Sequence, residues 1–181
     1  MKKFIITIVC MLCAAPLLFA QTLLSPNENL KLSFRLTEKG TPTYALTFKG
    51  KKVISESALG FVINQKEDFN SNFEITDVQF AEANSVWQPV LGENKEIRDH
   101  YKEMFVRLTQ KNSGRQLLLR FRLFNDGLGF RYEFPLQDNF RHFRIQEELT
   151  VFHLSGNHKA FWIPALPRSE ERRVGKECRS R

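Results

Sequence analysis

Apolar and polar residues alternate strictly in LKLSFRL (30–36), with Leu30, Leu32, Phe34 and Leu36 on one side and Lys31, Ser33 and Arg35 on the other. A period of two marks a strand with one dry face and one wet face. The pattern recurs along the chain. TYALTF presents Tyr44, Leu46 and Phe48, KGKK (49–52) supplies a turn and VIS starts a return strand, so 43–55 is expected to be a hairpin. ALGFVI (58–63) is expected to be a buried strand, and FEITDVQF (73–80) a strand inside a polar excursion from Asn64 to Asn84. MFVRLTQ, the turn KNSGR and QLLLRFRLF predict another antiparallel pair. NDGLG then turns into FRYEFP, where Asp126-Gly127 suits a tight turn because glycine accepts positive φ. FRIQEELTVFHL (143–154) adds a further strand, while WQPVLGENKEIRDHYKEM (87–104) is the least regular long stretch and is expected to be a connection. No amphipathic helix is legible. Short strands joined by polar turns predict an all-β, antiparallel sandwich.

The two ends do not share this pattern. MKKFIITIVCMLCAAPLLFAQ has a basic start at Lys2 and Lys3 and an apolar stretch to about Ala20, the layout of a secretory signal peptide cleaved after Ala20. Its apolar stretch is too short for a membrane span, so no membrane association is expected after cleavage. Cys13 follows Met11 and Leu12, which are bulkier than a lipidation signal tolerates. The protein is therefore expected to be exported to the periplasm. At the other end, Arg168 to Arg181 hold six basic and three acidic residues and one aliphatic side chain, Val174. Domain boundaries follow as signal 1–20, body 21–167 and tail 168–181.

Dividing the chain also divides its charge. Of the formal +7, Lys2 and Lys3 carry +2 and the tail +3, which leaves +2 for the body. A near-balanced body with no basic stripe among its aromatics argues against a nucleic-acid partner. Cys10, Cys13 and Cys178 all lie outside the body. An exported domain without cysteine has no disulfides and depends on its core, and a body of this length can bury one.

Sequence motifs for common chemistries are missing: no glycine-rich phosphate loop, no zinc spacing, no HExxH and no GxSxG. His100, His142, His153 and His158 are not spaced as metal ligands. The 87–104 stretch is the best functional candidate. Trp87, Glu93, Glu96, Arg98 and His100 would combine an aromatic with hydrogen-bonding side chains, the mixture that binds sugars. Alternatively, Trp87 belongs to the core and the charges form a solvated loop, which composition alone favours. A glycosidase carboxylate pair is defined by distance in space, so Glu93, Glu96, Glu103, Glu133, Glu147 and Glu148 offer many pairs and no choice among them. Arg120 and Arg122 alternate with apolar residues and are expected on the wet face of a strand.

Four segments in order, SPNENLKLSF, WQPVLGENKEIRDHY, RFRLFNDGLGFRYEFP and AFWIPA, resemble the N-terminal domain of glycoside hydrolase family 97 over about residues 22–164. That family comprises exported α-glucosidases and α-galactosidases typical of Bacteroidetes. The resemblance implies a β-super-sandwich of galactose mutarotase type, here incomplete, followed in the family by a (β/α)8 catalytic barrel and a small β-domain. The barrel holds the catalytic acid and the base or nucleophile, so no catalytic residue is carried over to this chain. Calcium is implied for the whole enzyme, held by glutamates, one of them shortly past the FWIP motif. Glu170 and Glu171 stand at that distance. Neither is taken as a ligand, because RSEERRVGKECRSR looks like the translation of a short-read sequencing adapter rather than native sequence.

The resemblance implies an α-linked oligosaccharide as the parent's ligand and the absent barrel as the domain's partner. Trp162, in AFWIPA, joins Trp87, Glu93, Glu96, Arg98 and His100 as a candidate for sugar binding or domain contact. No cofactor or metal is expected in this piece itself. Two other functions remain open: a stand-alone carbohydrate-binding module, and a mutarotase-like epimerase that would start from His100 and His142.

Overall fold

The computed structural model describes residues 20–64, 67–157 and 159. The signal stretch up to residue 19, AFWIPA with Trp162, and the tail with Glu170 and Glu171 lie outside the described residues. Eleven strands and no helix occur among the described residues.

The first sheet is a meander of β1 (Gln21–Leu24), β2 (Leu30–Leu36), β3 (Pro42–Phe48) and β4 (Lys51–Ala58), all antiparallel. Leu30, Leu32, Phe34 and Leu36 are buried while Lys31 and Arg35 are exposed, so the alternation in LKLSFRL decides which face is dry. The hairpin expected at 43–55 is present, but its turn is tighter than KGKK. Lys49 and Gly50 alone make it, at φ 48° and 75°, and Lys51 and Lys52 already belong to β4. Positive φ at both central residues matches the right-handed twist of the flanking strands.

The second sheet contains β7 (Phe73–Trp87), β8 (Ile97–Gln110), β9 (Gln116–Leu123) and β10 (Leu128–Glu133), in the order β10-β9-β8-β7. Met104, Val106 and Leu108 on β8 and Leu117, Leu119, Phe121 and Leu123 on β9 form its buried face. That face meets the first sheet directly. Phe34 lies 5.6 Å from Phe121 and Tyr44 lies 5.6 Å from Phe130, ring centre to ring centre. Burial of rings and aliphatic side chains between the two layers is the main stabilising term in a domain without disulfides.

A small third sheet has β5 (Phe61–Ile63) between β11 (Ile145–Glu148) and β6 (Glu67–Phe69). The strand expected at 58–63 is thus two pieces: β4 ends at Ala58, and Gly60, at φ 152°, turns the chain into β5. After β11 the chain covers the edge of β4. Val151 N–H donates to the Ala58 carbonyl (3.0 Å), and Ser55 N–H to that of His153 (2.8 Å). Two tyrosines pin this cover from below: the Tyr44 hydroxyl donates to the Val151 carbonyl (3.0 Å), and the Tyr132 hydroxyl pairs with that of Thr150 (2.7 Å). Burial pushes both phenols up to about 12.

The turn at NDGLG lies where expected, closed by Phe124 N–H on the Gly127 carbonyl (2.9 Å). Gly127, however, is not among the positive-φ glycines, so the turn does not use the freedom the sequence suggested. One end of the sandwich is plugged by aromatic rings. Phe140 stacks on Phe143 at 4.2 Å, and Phe134 and Phe69 close around them. At the opposite end, β7 and β8 run on past the other strands as a long hairpin arm.

Candidate functional site

The arm is where most of the expected site falls, and it corrects the reading of 87–104 as a connection. β7 continues to Trp87 and β8 begins at Ile97, and these two residues are cross-strand partners. Only 88–96 is loop. Arg98, Asp99, His100 and Tyr101 are strand residues in register with Val86, Ser85, Asn84 and Ala83.

Strand register also splits the expected cluster between two faces. Directly opposed residues share a face and neighbours alternate, so Trp87 sits with Ile97, Asp99 and Tyr101, while Arg98 and His100 sit with Val86 and Asn84. Trp87 is half exposed, not core. Arg98 donates from Nε to Asn84 Oδ1 (3.0 Å), and His100 Nε2 is 3.1 Å from Glu82 Oε1. Glu93 and Glu96 are exposed in the loop, where Gln88 donates weakly to Glu96 (3.4 Å). His142 lies on a different element from His100, in the exposed loop between β10 and β11.

A denser group of charges lies on the outward face of β8, β9 and β10. Glu103 stands at its centre, nearly buried although it faces away from the core. Arg120 binds one of its oxygens through Nη1, and Arg122 binds the other through Nε at 2.7 Å. Arg120 reaches on to Glu133 (Nε to Oε1, 2.7 Å), which also accepts from Arg131 at 2.7 Å. Aromatic rings flank these guanidiniums. Arg122 lies 4.3 Å above Tyr101 and Arg120 lies 5.1 Å from Phe105, both cation–π distances. Arg120 and Arg122 are thus on the outward face, as expected, but they are paired and half covered rather than simply wet. Sequence spacing could not reveal this, because the partners are 13 to 19 residues apart and meet only through strand pairing.

The electrostatics follow from the contacts. Burial alone would raise the Glu103 carboxyl, but hydrogen bonds from Arg122 and Arg120 and their charges overcome it and hold the group below the usual glutamate value. Glu133 is lowered chiefly by its hydrogen bond to Arg120, against burial, and then by Arg131. A carboxyl whose folded value is depressed stabilises the fold fully above its unfolded value, near 4.3, and loses that contribution as pH falls through the folded value. Stability is therefore expected to hold from neutrality to about pH 5 and to fall below about 4.3. Glu103→Gln should cost about 2–3 kcal/mol at pH 7, because it leaves half-buried guanidiniums without their carboxylate. Denaturant titrations of both proteins against pH check this: the gap between them should close as the wild-type carboxyl is protonated.

A family model described as Glycosyl-hydrolase 97 N-terminal matches residues 23–179. The chain belongs to this family. The match starts within β1, takes in the other ten strands with the arm, and extends into the 168–181 segment. Solved structures agree with it. A variant of a glycoside hydrolase family 97 enzyme from Pseudoalteromonas sp. strain K8, in complex with panose, is 38% identical with a TM-score of 0.73, over 80% of this chain and 22% of its own. The enzyme in complex with acarbose aligns to the same extent, at 38% identity over 80% of this chain and 22% of that one. A beta-arabinopyranosidase is 25% identical with a TM-score of 0.68, over 74% of this chain and 21% of that one. This glycosyl-hydrolase 97 N-terminal chain therefore spans about a fifth of the length of the enzymes it matches.

Among the described residues no three His, Cys, Asp or Glu side chains gather as a metal-ligand set.

Proposed function

We propose that this chain is the noncatalytic, carbohydrate-associated first part of an exported α-glycosidase acting on α-glucosides or α-galactosides. The observation that carries the proposal is the pairing of 38% identity over most of this chain with coverage of only 22% of enzymes captured with panose or acarbose. In this reading the signal directs the protein to the periplasm and the sandwich supports a catalytic barrel encoded downstream. Calcium belongs to the parent enzyme, and the 168–181 segment is read as non-native from its adapter-like sequence, although the family match runs on to residue 179. In this reading Trp87, Glu93 and Glu96 meet sugar or barrel, which their exposure supports.

The coding DNA beyond Pro167 is expected to continue through more sandwich into a barrel, in place of RSEERRVGKECRSR. A stop codon there would return the chain to a stand-alone module. Calorimetric titration with maltose and panose separates the alternatives further. No heat of binding at millimolar sugar is expected of this piece alone, whereas a Kd of about 1 mM or tighter, near 4 kcal/mol of binding energy, would favour the module. Anomer interconversion that disappears on changing His100 or His142 would favour an epimerase.

A further inference from the structure

Between β9 and β10 the outward face opens into a cleft of about 170 Å³, lined by Arg120, Arg122, Phe124, Gly129, Phe130 and Arg131. Gly129 is the direct cross-strand partner of Arg122, and Arg131 is that of Arg120. A side chain at 129 would therefore stand on the guanidinium face, and a Cβ built there meets no atom within 4 Å. The missing side chain leaves the space, and the three arginines wall it.

From this geometry we infer that the cleft is a seat for a single carboxylate. Three guanidiniums share two carboxylates, Glu103 and Glu133. Each guanidinium carries five donors in a rigid fork, more in total than two carboxylates can accept. The existing bonds use Nε of all three, Nη1 of Arg120 and Nη2 of Arg131. Asp99 acts on Arg122 from the β8 side, whereas Gly129 lies on the β10 side, so the cleft end is left to the guanidiniums. Tyr101 under Arg122 and Phe105 beside Arg120 hold the forks in place, which lowers the entropy cost of a new bond.

Charge selects what can enter. A cleft of about 170 Å³ has room for a carboxylate, and its polar side chains are three guanidiniums, so an anionic group held by two forks is favoured over a neutral hydroxyl. The carboxylate comes either from a free organic acid or from an acidic side chain of a segment lying across the β9–β10 face. This inference does not depend on the parent being a glycosidase.

The test is an NMR titration of the arginine Nε–H signals of the full chain with sodium acetate, against sodium chloride at matched ionic strength. Saturable shifts of Arg122 and Arg131 with acetate, exceeding those with chloride, are expected. Gly129→Leu fills the space and should abolish the shifts. Arg131→Gln, at an exposed position, should weaken them about fivefold, as for one charge-assisted hydrogen bond. A blocked glutamate peptide that shifts the same signals at lower concentration than acetate would identify a protein side chain as the source, and equal potency a free acid. Absence of saturable shifts, or their persistence in Gly129→Leu, overturns the seat.

Discussion

Phe121→Ala is expected to cost about 3–5 kcal/mol, the range for removing a large aromatic from a packed interior. Phe121 is fully buried on β9, between Met104 on β8 and Phe130 on β10 in register, and reaches across the sandwich to Phe34 at 5.6 Å. Truncation removes the ring that joins the two main sheets and leaves a cavity that β-sheets on both sides cannot close. A domain of this size holds only about 5–15 kcal/mol, so the loss is a large share of the total. Urea unfolding should show a lower midpoint at an unchanged slope. Phe105→Ala is the control. Phe105 is adjacent to Met104 but points outward among Arg107 and Arg120, and its loss should cost only about 1 kcal/mol. Equal losses at 105 and 121 would contradict the assignment of faces.

Gly40→Ala should cost about 3–4 kcal/mol, for two reasons that a second glycine separates. Gly40 has φ 71°, and a Cβ there would lie 2.6 Å from both the nitrogen and the carbonyl oxygen of Phe73. Those are backbone atoms and cannot rotate away. The close approach is itself functional for the fold: Phe73 N–H donates to the Gly40 carbonyl (3.1 Å) and Asn72 N–H to that of Lys39 (2.8 Å). These bonds fasten the β2–β3 turn to the start of β7. Gly50 has a similar φ of 75° with nothing within 4 Å, so Gly50→Ala carries the backbone strain without the collision. It should cost about 1–2 kcal/mol. Thermal unfolding of the two variants measures the difference, and equal effects would remove the close approach as the cause.

The ease of reading the sequence tracked burial. LKLSFRL, MFVRLTQ and QLLLRFRLF line a core on one face, and their alternation is strict in the first and broken at Phe105 and Leu118 in the others, so strand, face and approximate length were all legible. The arm was not. Ala81 to Trp87 project beyond the sandwich, most of them exposed, so no dry face imposes a period of two. A strand held mainly by cross-strand hydrogen bonds carries little hydrophobic pattern, and IRDHY accordingly read as part of a loop. The candidate site suffered from the same gap. Trp87, Arg98 and His100 are close in sequence, but pairing in a strand sends Trp87 to one face and the other two to the opposite face.

The sequence by itself determined the fold class, the dry faces of the central strands, and the family. These are properties of local pattern and of motif order, and both are written along the chain. Only the tertiary structure decided that Glu103 meets Arg120 and Arg122, that Arg131 shares Glu133, and that Gly129 opens a space beside them. The reason is register. Which outward side chains become neighbours depends on how β8, β9 and β10 align, and that alignment is set by the core packing on the other side of the sheet.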